Sequence, residues 1–131
     1  MPIIDFVGSV LRVDATVLAL VPALNISAGL RPQEFDTLPA VNYFEIGAET
    51  FDRSMASRHD VQISARAVEL RDAVVLSEAC GRALYKFDPQ SAESVDVQHV
   101  QIGSRVSLPE PDIDAFHVAL TISFSVLSTV V

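Results

Sequence analysis

The chain has 131 residues, half of them hydrophobic, and carries a formal net charge of −8. That length suits one domain, residues 1–131, whose core needs no covalent staples, and no apolar run approaches the roughly 18–20 residues of a membrane span. Nine Lys and Arg stand scattered against seventeen Asp and Glu, which argues against a nucleic-acid binder working by phosphate neutralisation and against a basic membrane-surface helix.

The start, Met1-Pro2-Ile3-Ile4-Asp5, lacks the basic residues of a signal peptide. Residues 2–13 carry Ile3, Val7 and Val10 on one helical line, flanked by Ile4, Phe6 and Leu11, with Asp5, Gly8, Ser9 and Arg12 opposite. Asp14 is placed to cap a second short helix over residues 15–20, which Pro22 ends. Leu24-Asn25-Ile26 reads as a short strand, and residues 29–37 as an irregular connection.

A strand is expected over residues 40–46, apolar on both faces through Val41, Tyr43, Phe44 and Ile46 and therefore covered on both sides. The pattern stops from Gly47 to Ser57 and resumes at Asp60, where Val61, Ile63, Ala65 and Ala67 alternate with polar residues. The two strands form a hairpin with an unusually long loop; Glu49, Asp52, Arg53 and Arg58, mixed in sign, make it a candidate assembly loop or merely a mobile tip, which composition alone does not separate.

Residues 70–87 are expected to form the principal helix. Ala73, Leu76, Cys80, Leu84 and Phe87 share one side; Arg71, Glu78, Arg82 and Lys86 share the other. Val75 is an apolar residue on that polar side, and so a candidate subunit contact. Val95 and Val97 begin a further strand that Val100 and Ile102 continue in the opposite frame, which implies a bulge at Gln98-His99. Residues 103–114 are expected as a loop. The last strand, residues 116–126, alternates without a fault, its even positions from Phe116 to Val126 facing a core. A strand this long is expected to run past its own core, its outer end covered by another chain.

Taken in order, these elements give an α+β fold: an antiparallel or mixed sheet with helices packed on one face, α-(short α)-β-β-α-β-β. The search for chemistry returns little. His59, His99 and His117 form no metal-ligand spacing and read as ordinary strand histidines. Cys80 lies in the buried stripe of the main helix and reads as a small core residue. Glu110-Pro-Asp112-Ile-Asp114 lacks the glycine and closing glutamate of a calcium loop and reads as a solvated turn. No phosphate-binding loop, nucleophile elbow or dinucleotide fingerprint is present, so no catalytic residue, cofactor or metal is assigned.

The chain resembles the tail-completion, or tail-terminator, proteins of long-tailed bacteriophages and related particles. The resemblance rests on the opening helix with Asp14-Ala-Thr-Val-Leu-Ala-Leu20-Val21, and on Leu38-Pro39-Ala40-Val41-Asn42-Tyr43 leading into a strand. It continues with Val61-Gln62-Ile63-Ser64-Ala65-Arg66-Ala67 running into the helix at Ala73-Val74-Val75-Leu76-Ser77-Glu78-Ala79, and ends with the closing strand. It implies a non-enzymatic virion protein, assembled in the host cytoplasm, that forms a ring, usually a hexamer, at the head-proximal end of the tail tube. Such a ring ends tube polymerisation and offers the head its docking surface. The implied partners are further copies of itself, the tube protein, the head–tail connector, and DNA that passes through without specific binding; no membrane is involved. The alternatives are a connector component of the same fold, a small-molecule-binding or regulatory α+β domain, or a small enzyme using His99 or His117 as base.

Overall fold

In the computed structural model the described residues are 3–29, 38–50, 56–85, 96–110 and 115–127. The first helix, α1 (Ile3–Leu11), buries Ile3, Phe6, Val7 and Leu11, a spacing that keeps them on one face. Gly8, expected on the polar side, is buried as well: a Cβ there would collide with the Tyr43 hydroxyl, so glycine lets α1 lie close on the sheet. Arg12 then lies 5.8 Å from the Tyr43 ring centroid and donates to the Ile26 carbonyl at 3.2 Å. In α2 (Ala15–Leu20) the Asp14 carboxylate accepts from the Val17 N–H at 3.0 Å, as the sequence implies.

Leu24 and Asn25 are not strand residues. They belong to a 3-10 turn, Ala23–Asn25, in which the Asn25 side chain donates to the Pro39 carbonyl at 3.0 Å. The short strand β1 follows at Ile26–Ala28. Five strands form one mixed sheet in the order β1-β2-β3-β5-β4, with β2 at Ala40–Thr50, β3 at Ala56–Ala67, β4 at Asp96–Glu110 and β5 at Ala115–Leu127. Only β1 against β2 is parallel. The helix α3 (Leu70–Tyr85) packs over β3, β5 and β4, and α1 over β1 and β2, so the helices cover one face. Among the described residues no helix is long and apolar enough to cross a membrane.

The core lies between that helix layer and the sheet. Val118, Leu120, Ile122 and Phe124 of β5 and Val61, Ile63, Ala65 and Ala67 of β3 are all buried, as the alternation requires. Phe116, counted with them, is exposed. On α3 the buried set is Ala73, Leu76, Ala79, Cys80, Ala83 and Leu84 together with Ser77 and Gly81.

Four further expectations are corrected. The long hairpin loop is largely strand: Gly47 pairs with Asp60, Ala48 with His59, Glu49 with Arg58 and Thr50 with Ser57, leaving only residues 51–55 between β2 and β3. The residue Ile46 falls at a register shift between Glu45 and Gly47 and is half exposed, so β2 is not covered on both sides throughout. The loop expected at residues 103–114 is likewise strand as far as Glu110. The bulge between Val97 and His99 is present, and a second shift lies between Ile102 and Arg105. Gly103 sits there because a Cβ would come within 2.9 Å of the Thr121 carbonyl oxygen. Finally, β5 does not run past its own sheet. It is laddered to β3 and β4 along its length, with Leu127 opposite both Ala56 and Asp96.

Candidate assembly surfaces

The far end of the β2–β3 hairpin brings two of the sequence-predicted residues together: Glu49 and Arg58 are register partners, while Asp52 and Arg53 lie outside the described residues. Side chains alternate across the sheet here, so the two faces carry different clusters. On one, Arg58 Nε donates to Asp60 Oδ1 at 3.2 Å and Ser123 Oγ donates to the same oxygen at 2.6 Å. The Ser123 hydroxyl, donating to the carboxylate, is the main cause holding Asp60 below the usual carboxylate range; Arg58 adds to it and partial burial opposes it.

On the helix-side face, His59 Nδ1 lies 2.7 Å from Glu45 Oε1, and Nε2 lies 2.9 Å from Ser57 Oγ. In the neutral ring Nδ1–H donates to the carboxylate and Nε2 accepts from the hydroxyl. This connectivity matches a nucleophile–base–carboxylate relay, and the histidine reading from sequence alone missed it. Acyl transfer also needs paired free N–H donors aimed at a developing oxyanion. Ser57 instead stands in a regular antiparallel ladder, paired with Thr50 and Val126, where backbone N–H groups serve the sheet. The arrangement ties the hairpin strands together. His99 is exposed on β4, His117 is half-buried on β5, and Cys80 is fully buried, its thiol pushed up to about 12 by burial with the Asp14 carboxylate adding. Among the described residues no three His, Cys, Asp or Glu side chains gather into a group able to hold a metal.

Among the described residues two sizeable grooves flank α3. One, of about 310 Å³, runs between α3, the end of α2 and the cis Leu38–Pro39 segment; Leu20, Leu38, Pro39, Val68 and Val75 line it, with Asp72 at the rim. Val75 is 40% exposed there, on the surface that its place on the polar side of the helix implies. The other groove, of about 420 Å³, lies between α3 and the edge strand β4. Gly81, Ile102 and Tyr85 line it, while Glu78 lies 3.4 Å from Arg105 and 3.8 Å from Arg82. Sequence reasoning put Glu78 and Arg82 on one side of the helix but missed this groove, because Arg105 was expected in a loop. It also missed separately exposed apolar residues early in the chain: Val13, Leu18, Leu20 and Leu24. For Leu18, Leu20 and Leu24 the available signal was the absence of any charged residue between Asp14 and Arg31.

No family model matches the sequence, and no curated protein matches it. Among solved structures the chain is similar to a chain of the "Virion of native gene transfer agent (GTA) particle", with a TM-score of 0.74 and 18% sequence identity. The superposition covers 92% of this chain and 90% of that one, so the likeness extends over nearly the whole length of both.

Proposed function

We propose that this protein is a structural component of a phage-type virion, and that it caps the head-proximal end of a tail tube as a ring, ending tube growth and offering the head its docking surface. The observation that carries the virion reading is the whole-length fold likeness to a chain of a gene transfer agent virion. The narrower, tail-terminator reading is supported by the resemblance of the Asp14–Val21, Leu38–Tyr43, Val61–Ala67 and Ala73–Ala79 stretches to that family.

The surfaces suit such a role. Apolar side chains stand in water on α2, the 3-10 turn and α3, as expected of a subunit that buries them against neighbours. The hairpin end, with Glu49, Asp52, Arg53 and Arg58, is the proposed contact with the tube protein, and Val75 belongs to the proposed contact between subunits. A net charge of −8 on each copy suits a channel through which DNA slides, since repelled phosphates gain no binding energy from the wall.

The test mixes purified protein with tails that lack a terminator and counts, by electron microscopy, tails of fixed length and tails joined to heads. Binding to one tail end with restored joining is the expected result. If the protein binds no tail end while another product of the same particle restores both, the capping role is wrong; if it binds the head portal instead, it is a connector component.

A further inference from the structure

The outward side of α3 carries Arg71, Val75, Glu78, Arg82 and Tyr85, at alternating steps of four and three residues. That is the spacing of a helix seam, so the five side chains stand in one line along the helix. The line is open to solvent: Val75 is 40% and Tyr85 63% exposed, and the 3.8 Å approach of Arg82 to Glu78 joins two neighbours on it. From Val75 to Tyr85 it runs apolar, acidic, basic, aromatic, and turned end for end it complements itself. When a second α3 is laid antiparallel about an axis level with Cys80, Val75 faces the other copy's Tyr85 and Glu78 faces the other copy's Arg82, each pair occurring twice.

We propose that two free copies of this chain pair through α3 in this antiparallel, two-fold arrangement. Three features select a second copy as the occupant of the α3 face. Opposite charges meet in this orientation, whereas a parallel, in-register pair sets Glu78 against Glu78 and Arg82 against Arg82. Each Glu78 keeps its own Arg105 at 3.4 Å and exchanges an Arg82 held at 3.8 Å for the one opposite, so the exchange of exposed ion pairs gives up little. Tyr85 also meets a groove suited to it. Val75 stands in the apolar groove of about 310 Å³ with Leu20, Leu38, Pro39 and Val68, and Asp72 at the rim offers the phenol an acceptor. The contact from Val75 to Tyr85 runs about 15 Å at 1.5 Å per residue, which makes it a weak one. It uses the same patch on both copies and closes at two. The pair therefore competes with a ring built through Val75 and holds free subunits back from untimely assembly, a consequence that rests on the capping reading.

The experiment follows the mass of the full chain by sedimentation up to about 1 mM, where a contact of millimolar Kd is substantially filled. Wild type is expected to approach a dimer and to go no further. Glu78→Arg sets cation against cation across the axis, and Arg82→Glu sets anion against anion, so each variant alone should pair more than about tenfold more weakly. Their equimolar mixture sets the two cations of one chain against the two anions of the other and should form a one-to-one dimer. Tyr85→Ala should weaken the wild-type pair by more than about tenfold. All three side chains are largely exposed, so the thermal midpoints should stay near wild type. A wild type that remains monomeric at 1 mM, growth beyond dimers, or folded charge variants that fail to pair in the mixture overturns the two-fold contact. Capping of tails by a chain that forms no dimer in solution overturns the contact and leaves the capping role intact; a dimer that obeys the charge reversals, from a protein that binds no tail end, upholds the contact and overturns the capping role.

Discussion

Truncating Phe124 to alanine removes a ring that is fully buried and sits edge-to-face on Phe6 of α1, centroids 5.9 Å apart at an interplanar angle of 86°. A buried phenylalanine removes about 150–250 Å² from water, and at about 25 cal/mol/Å² that is worth roughly 4–6 kcal/mol. The alanine methyl retains part of this and the site relaxes only partly, so a loss of about 3–5 kcal/mol is expected, out of a total of about 5–15 kcal/mol for a domain. Followed by circular dichroism in urea, with a slope near 2 kcal/mol/M, the midpoint should fall by about 2 M. The Phe6→Ala/Phe124→Ala cycle should show a coupling of about 0.5–1.5 kcal/mol from the ring pair. A Phe124→Ala loss near the ±0.5 kcal/mol of surface substitutions would refute the packing of α1 on β5, and strict additivity in the cycle would refute the ring contact.

Two further outcomes follow from the same structure. Cys80 should resist a maleimide in the native protein at pH 8 and react fully in urea, because burial both hides the thiol and raises it to about 12; rapid native labelling would place it elsewhere than the α3 core. Asp60, held below its ordinary value mainly by Ser123, contributes stability that is present above an unfolded value of about 3.9 and lost as pH falls through the lower folded value. Urea midpoints should therefore separate wild type from Asp60→Asn at pH 7 and converge below about pH 4; a gap that does not change with pH would remove Asp60 from this role.

Local pattern determined much of this fold. Alternation from Val118 to Phe124 and from Val61 to Ala67 fixed which side chains enter the core, because a period of two leaves only one face to bury. The α3 stripe and the Asp14 cap were legible for the same reason: each depends on residues within a turn or two of one another. A frame change between Val97 and Val100 marked the first bulge. Residues 103–107, by contrast, are exposed throughout, and the end of β2 has no alternation; both are strands because a neighbouring backbone ladders with them, and that carries no side-chain signature. The assembly surfaces were hidden for a related reason. The Ser57–His59–Glu45 relay needs the β2–β3 register, and the α3–β4 groove joins Glu78 to Arg105, 27 residues apart. The position of β5 between β3 and β4, which turned a strand expected to overhang into one paired along both sides, was decided by long-range pairing alone, because alternation specifies a face and says nothing of neighbours.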